Sequence, residues 1–329
     1  MIRAAAYLSP ILLVAMLAVT TAAADTTSVT VRAGSIQTVL GPCDIWLPPG
    51  YSTADAGYVA GAISDLSLVL TDRLGPTTER AFEVVLVDNR QQFEFWTGRA
   101  APEWIHALAL NSPPRLVLLV AAQLTAADQK NLERTLLHEL THAYLHRLQA
   151  PDNRRNLPSW FHEGIAVQMS GGMERGMQQT VLYARWLGQL QPLGSLTTIR
   201  HETAQSSELA YGQSALAVEL IVEDHGEAGL RELLNDLRGG APFELVFEES
   251  LGVPWLQFVD RYQIWLRRRY NLLLALSDPN ILFMLLPLLL VAAYLVTQAR
   301  GRRRKAEWER MEKAADDLNN LKSIDTFID

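Results

Sequence analysis

The chain has 329 residues, of which 49% are hydrophobic, enough to bury one sizeable core or two smaller ones. Its formal net charge is −7 at pH 7, and residues 25–280 carry 29 acidic against 20 basic side chains, which argues against a nucleic-acid partner. Cys43 is the only cysteine, so an intramolecular disulfide is excluded.

The first 24 residues have the pattern of a secretory signal peptide. Arg3 is followed by an apolar run from Leu8 to Val19, and the segment ends in three alanines at 22–24. We therefore predict cleavage after Ala24. An uncleaved anchor or an N-terminal helix would have a similar sequence.

A second apolar run, over 281–299, contains no charged residue and is long enough to cross a bilayer. Five basic residues follow between Arg300 and Lys305, whereas 270–280 contains no lysine or arginine. By the positive-inside rule, this predicts a transmembrane helix over 281–299 and a basic cytoplasmic tail over 300–329. Residues 25–275 would then be an ectodomain outside the cytoplasm, held at the cell membrane by a single pass through the lipid bilayer.

Between these ends, the N-terminal part of the chain is predicted to form a small sheet. An extended segment at 28–32 precedes a helical pattern over 53–74, which stops at Gly75-Pro76. Two short runs rich in valine and leucine, 82–87 and 115–120, are bounded by breakers and read as strands.

The second half is predicted to be mainly helical. A helix begins near Ala126, where Thr125 and Asp128 have the spacing of a capping box, and it ends near Gln149. Further helices are predicted from Pro158 onward and over 173–189, 208–224, 227–238 and 254–274. Strands followed by helices predict an α+β fold with a single domain over 25–275.

The helix predicted from Ala126 to Gln149 contains the sequence His138-Glu139-Leu140-Thr141-His142. Residues four apart lie one above the other on a helix, so both imidazoles can reach one metal ion. Glu139, beside the first histidine, is then placed to act on a water at that metal. This pattern is typical of zinc hydrolases and predicts Zn²⁺ as the cofactor.

Catalytic zinc needs a third protein ligand, which must come from elsewhere. A metzincin-type continuation of the helix fails because Leu145 and Leu148 stand at its glycine and histidine positions. His146 lies a further turn along the helix, too far from His138 for all three rings to converge, and we assign it to packing around the site. Glu163, on the next predicted helix, is the better candidate, with the adjacent His162 as the alternative, since only one of the two can face the metal.

At these residues the sequence resembles the peptidase MA-like gluzincins. The resemblance rests on 138–143, on 157–166 (Leu-Pro-Ser-Trp-Phe-His-Glu-Gly-Ile-Ala), and on the later segments 210–215, 220–226, 231–234 and 247–252. It implies a zincin-like fold in which the glutamate of the second motif, here Glu163, is the third zinc ligand. Relatives of the thermolysin type have an aspartate where this chain has Val167 and often an asparagine where it has His162, so the groups that orient the zinc histidines must differ.

The function predicted from these residues is a zinc metallopeptidase that hydrolyses peptide bonds. His138, His142 and Glu163 would hold the metal, and Glu139 would act as general base on the water that the metal activates. Tyr211 would donate a hydrogen bond to the oxyanion, or else pack as a buried aromatic residue. The strand over 115–120 would be the edge along which an extended substrate lies, or else a plain core strand.

Two other classes of function remain open at this stage. The domain could be a catalytically inactive, zinc-binding interaction module tethered to the membrane, although a structural site has no use for Glu139. It could also be a zinc amide or ester hydrolase with a non-peptide substrate.

Overall fold

The computed structural model describes residues 30–121, 123–148, 157–197, 199, 203–270 and 279–325. The predicted signal peptide, 1–24, lies outside these residues. The chain divides into two compact units, Met1–Arg268 and Arg269–Asp329. The first unit contains the sheet and all the residues of the predicted metal site.

The first unit begins with a five-stranded mixed sheet and two helices. Its elements are β1 (Val31–Thr38), β2 (Gly41–Leu47), α1 (Thr53–Leu74), β3 (Phe82–Val87), α2 (Arg90–Thr97), β4 (Ala107–Asn111) and β5 (Pro114–Leu119). The strand order is β1-β2-β3-β5-β4. The three central strands run parallel, whereas β1 and β4 pair antiparallel at the two edges.

The helices follow the sheet in sequence, as predicted. They are α3 (Ala126–Leu148), α4 (Ser159–Met169), α5 (Arg175–Trp186), α6 (Ala204–Asp236), α7 (Phe243–Leu251) and α8 (Trp255–Arg269), with 3₁₀ turns at Leu193–Thr197 and Leu237–Gly239. The prediction of a small sheet followed by helices is confirmed, and this arrangement fits a zincin-like fold.

Local sequence signals explain where several of these elements begin and end. The Ser52 side chain and Asp55 form a reciprocal capping box at the start of α1, and Gly75 ends this helix with a positive φ of 93°. Thr125 and Asp128 form the predicted box at the start of α3, because the Asp128 amide donates to the Thr125 hydroxyl and the Thr125 amide donates to the Asp128 carboxylate. The two helices predicted over 208–224 and 227–238 form one element, α6, with a break at Gly226, where φ is 71°.

The sheet packs against α2 through a small apolar cluster. Val85, Val87, Phe93 and Val117 are fully or almost fully buried there. Val85 and Val117 are register partners on the two central strands β3 and β5. The strand predicted over 115–120 therefore lies inside the sheet as a core strand, and the edge of the sheet on this side is β4.

The predicted transmembrane helix over 281–299 is wrong. In the second unit, residues 279–325 form one helix, α9 (Pro279–Asp325), so the apolar run continues without a break into the charged segment that follows. Among the helices of the described ranges, none combines the length and the apolar character that crossing a bilayer requires. The prediction took the apolar run as a separate element, but it is one part of a 47-residue helix with many charged residues. The predicted anchoring in a lipid bilayer is withdrawn with it.

Candidate metal centre

Helix α3 presents two histidines on one face. Leu132, Leu136 and Leu140 are buried along another face and fix the rotation of the helix. The rings of His138 and His142 meet edge to face with centroids 4.8 Å apart. Their Nε2 atoms are 3.2 Å apart, so both nitrogens point to the same place.

Helix α4 brings a carboxylate to that place. Oε2 of Glu163 lies 3.6 Å from Nε2 of His138 and 3.4 Å from Nε2 of His142. The next residue, Gly164, allows this approach, because a Cβ atom there would lie 2.4 Å from the backbone oxygen of Ser214 on α6. A larger side chain would hold α4 away from α6 and move the carboxylate.

The three side chains fit a zinc ion. Their ligand atoms all lie within 4.8 Å of one another, and within the described ranges this is the one group of three or more histidine, cysteine or acidic side chains with such spacing. Oε2 of Glu163 is buried and accepts no hydrogen bond that would satisfy it. Two imidazole nitrogens and one carboxylate oxygen are the donor set of many catalytic zinc sites, which keep a further position open.

The electrostatics of the trio favour a cation at its centre. Burial would by itself raise the pKa of the Glu163 carboxyl, but His142 and His138 outweigh it and hold that pKa well below its usual range. Burial also acts to lower the pKa of His142, yet Glu163 raises it to about 9. An anionic carboxylate therefore lies beside groups that hold a positive charge, and a divalent metal can provide that charge instead of protons.

Glu139 lies beside the trio and is 6% exposed. Burial raises the pKa of its carboxyl, and the neighbouring imidazoles of His138 and His142 oppose this shift. The backbone N–H of Ala109 on β4 donates a hydrogen bond to the Glu139 carboxylate. The side chain is therefore held in place at the edge of the sheet, and its raised pKa suits a group that accepts a proton.

Tyr211, on α6, borders the same cleft. Its ring centroid lies 6.5 Å from that of His138. Burial raises the pKa of the phenol well above its usual value, so the hydroxyl keeps its proton and can donate it in a hydrogen bond. Both predicted roles, oxyanion donor and packing residue, are compatible with this position.

Two more imidazoles lie next to the trio without joining it. The His162 ring stacks on that of His142 with centroids 6.0 Å apart and lies 5.2 Å from that of His146. His162 is thus directed along α3, while Glu163 faces the histidine pair. Burial lowers the pKa of His146 to about 4, helped by the charges of His142, Arg147 and Arg80.

The cleft in front of the trio has a volume of about 370 Å³. The edge strand β4 forms one wall, and His142 and Glu163 of the trio form another together with the additional histidines. Strand β4 is not among the strands predicted from the sequence. Its alternation of alanine and leucine before the Ser112-Pro113-Pro114 turn was the available signal, but it is short and lacks β-branched residues.

The metal centre is zincin-like. Two helices bring a pair of histidines and a glutamate together, and the antiparallel edge of the sheet borders the cleft beside them. The sequence agrees, because residues 101–268, about half of the chain, match the family model of the peptidase MA superfamily. The chain belongs to this superfamily, as the sequence motifs predicted. This membership agrees with the prediction of a zinc metallopeptidase at the level of the superfamily.

Among solved structures, the chain is similar to a variant of a two-domain M1 zinc metallopeptidase bound to L-arginine, with 21% identity and a TM-score of 0.42 over 73% of this chain and 51% of that one. It is also similar to an M1 zinc metallopeptidase from Deinococcus radiodurans, with 21% identity and a TM-score of 0.41 over 73% of this chain and 52% of that one. The chain thus spans about half the length of these proteins. A search of curated proteins finds no match.

Proposed function

We propose that the chain is a zinc-dependent peptidase that hydrolyses peptide bonds in the cleft between β4 and α3. The observation that carries the proposal is the convergence of His138, His142 and Glu163 within 4.8 Å. Glu139, which a merely structural site would not need, is buried beside them and lines the same cleft.

Each residue has a separate task in this reaction. Zinc, when bound by the trio, supplies a Lewis acid that polarises the scissile carbonyl and lowers the pKa of water. Glu139 takes a proton from the attacking water and passes it to the leaving nitrogen, which its raised pKa favours. Tyr211 donates a hydrogen bond to the oxygen that becomes negatively charged.

The substrate is proposed to bind as an extended strand along β4. Within the part of the chain that the structure describes, this strand pairs with β5 on one side only and borders the cleft with its other side. An edge strand has unpaired backbone groups, which can hydrogen-bond to a peptide. We also keep the proposal that the domain acts outside the cytoplasm, which is supported by the signal-like sequence of residues 1–24.

The test compares the parent chain with Glu139→Gln. Both proteins are purified at full length, their zinc content is measured, and their cleavage of a peptide library is followed by mass spectrometry. We expect one zinc per chain in both proteins and turnover in the parent alone. Equal turnover by the variant would disprove the role of Glu139, and cleavage of esters or simple amides without peptides would favour a non-peptide hydrolase.

A further inference from the structure

The cleft continues past the end of β4 into a narrow second cavity with a basic character. This cavity shares Asn111 and His146 with the main cleft and is lined further by Arg80 and Arg147. We call this part of the surface, formed by Arg80, Asn111, His146 and Arg147, the basic extension.

Arg147 is held in the basic extension by neutral groups. Its guanidinium donates to the backbone oxygens of Ala143 and Arg80 at 2.8 and 3.1 Å, and it lies 4.9 Å from the centre of the Phe82 ring. Its Nε is buried without a hydrogen-bond partner. Burial lowers the pKa of Arg147 to about 10, and the charge of Arg80 adds to this effect. Among the residues that the structure describes, the charge of Arg147 is therefore fixed in place by neutral groups and not by an acidic side chain.

Arg80 is exposed at the mouth of the extension. Its guanidinium donates to the side-chain oxygen of Asn111 at 3.2 Å. Over the ranges that the structure describes, neither Arg80 nor Arg147 forms an ion pair with an acidic side chain. Arg115 lines the same cavity but is neutralised by Glu83 at 2.5 Å. One end of the cleft thus carries two positive charges without carboxylate partners.

The direction of β4 decides which part of a substrate meets these charges. The strand runs from Ala107 to Asn111. Antiparallel pairing is the more stable arrangement, and a peptide bound in this way would have its N-terminal residues near Asn111. The Ala109 amide is bound to Glu139 and so marks the position of the chemistry. Asn111 lies two residues further along, roughly 7 Å at the rise of a strand. The basic extension therefore faces substrate residues on the N-terminal side of the bond to be cut.

We propose that the basic extension selects peptides with an acidic side chain about two to four residues N-terminal to the scissile bond, the span set by the strand rise and the reach of Arg80. This inference rests on the proposed function for the position of the bond. The recognition itself needs only a carboxylate, which guanidinium groups bind through two parallel hydrogen bonds. Such a carboxylate could belong to an acidic side chain or to the C-terminus of a peptide bound in the opposite direction. Antiparallel pairing with β4 favours the side chain.

The experiment measures binding separately from cleavage. Full-length Glu139→Gln, loaded with zinc, is titrated into fluorescent peptides that carry either glutamate or glutamine at the upstream positions. A second peptide pair differs only in a free or an amidated C-terminus. We expect the glutamate peptide to bind about five-fold more tightly than its glutamine partner, in the range of a partly exposed ion pair. Adding Arg80→Gln should reduce this ratio to about one, in keeping with the loss of that pair.

Arg73→Gln is the matched control. Arg73 is also a partly exposed arginine, but it pairs with Glu227 and does not line the main cleft or the basic extension. The ratio should be unchanged in this variant. Thermal melts of both arginine variants show whether either substitution has altered the fold.

Equal binding of the glutamate and glutamine peptides would overturn the proposal, as would failure of both to bind. An Arg80-dependent preference for the free C-terminus would also overturn it, because the carboxylate would then come from the other end of the peptide. Binding with the expected ratio, but no cleavage by the zinc-loaded parent, would refute the peptidase function and leave the recognition of acidic peptides standing. Cleavage with equal binding of the glutamate and glutamine peptides would support the peptidase function and refute the recognition of acidic peptides.

Discussion

Gly164 lies against Ser214 so closely that a Cβ atom at position 164 would be 2.4 Å from the Ser214 backbone oxygen. This contact joins α4, which carries the carboxylate of the metal centre, to α6, which carries Tyr211. The contact on the Ser214 side is a backbone oxygen, and Gly164 has no side chain. A Cβ atom at position 164 therefore could not be accommodated at this contact by a change of rotamer, and the two helices would have to move apart.

Gly164→Ala should therefore disturb the metal centre from outside it. We expect the free energy of unfolding to fall by about 1–3 kcal/mol, the range for overpacking, and zinc to bind more weakly because Glu163 moves with α4. Chemical denaturation and a zinc competition assay measure the two effects. Gly61→Ala is the control, since Gly61 lies within α1 and a Cβ there would meet nothing within 4 Å. Alanine should stabilise that helix slightly, and an equal loss of zinc in both variants would contradict the role of Gly164.

Substitution of Glu163 tests the third ligand directly. Glu163→Ala should lose zinc to a chelator at concentrations where the parent retains it, because removing one of three protein ligands weakens catalytic zinc sites strongly. His162→Asn changes the adjacent residue, which stacks on His142 and does not converge with the trio. This second variant should keep its zinc, and the opposite pattern would make His162 the ligand.

Tyr211→Phe separates the two roles that are open for this residue. As a donor to the oxyanion, the hydroxyl should contribute roughly 10²–10³-fold to kcat, with little change in KM or in zinc content. As a packing residue, the ring would be preserved in phenylalanine and kcat would stay close to that of the parent. Steady-state kinetics on the best library peptide decide between these outcomes.

The thiol of Cys43 is expected to affect how the free energy of unfolding depends on pH, independently of the metal. Burial raises the pKa of this thiol from 9.0 to about 12 in the folded chain, with a smaller contribution from Asp44. The folded state therefore prefers the neutral thiol, and its contribution to stability is complete below pH 9 and is lost as the pH rises towards 12. Over this interval the free energy of unfolding should fall more steeply in the parent than in Cys43→Ala.

The comparison between parent and variant controls for the other alkaline groups, because burial also raises the pKa of Tyr51 and Tyr58 and both residues are present in both proteins. Alkylation gives a second readout. The buried thiol should resist iodoacetamide at pH 8 in the folded chain and react after unfolding. Parallel curves for parent and variant, together with fast alkylation of the folded chain, would show that Cys43 is accessible.

The parts of the structure that the sequence predicted well are those fixed by local chemistry. The predicted bounds of α1 agree with the structure because Ser52, Asp55 and Gly75 set both ends of the helix through their own hydrogen bonds and dihedral angles. The two histidines of α3 could be placed together because residues four apart in a helix lie on the same face. Glu163 or His162 could be recognised as candidates, but the choice depends on the rotation of α4, which the contact of Gly164 with α6 sets.

The parts that were missed or wrong depend on contacts distant in sequence. Strand β4 has little β propensity of its own and is defined by pairing with β5 and by the cleft beside it. The basic extension could not be foreseen, because Arg80 and Arg147 are 67 residues apart and meet only in the folded chain. The apolar run over 281–299 was predicted to be a membrane span when taken by itself, yet it is one part of a 47-residue helix that continues into a highly charged segment.

The free side of β4 has a consequence for the kind of protein that could be a target. A segment that pairs with an edge strand must offer its own backbone amides and carbonyls, and in a helix or an inner strand these groups are already bonded within the target. Under the proposed function, cutting would therefore be confined to linkers, frayed ends and polypeptides that have lost their native structure. The folding state of the target, as much as its sequence, would decide whether it is degraded.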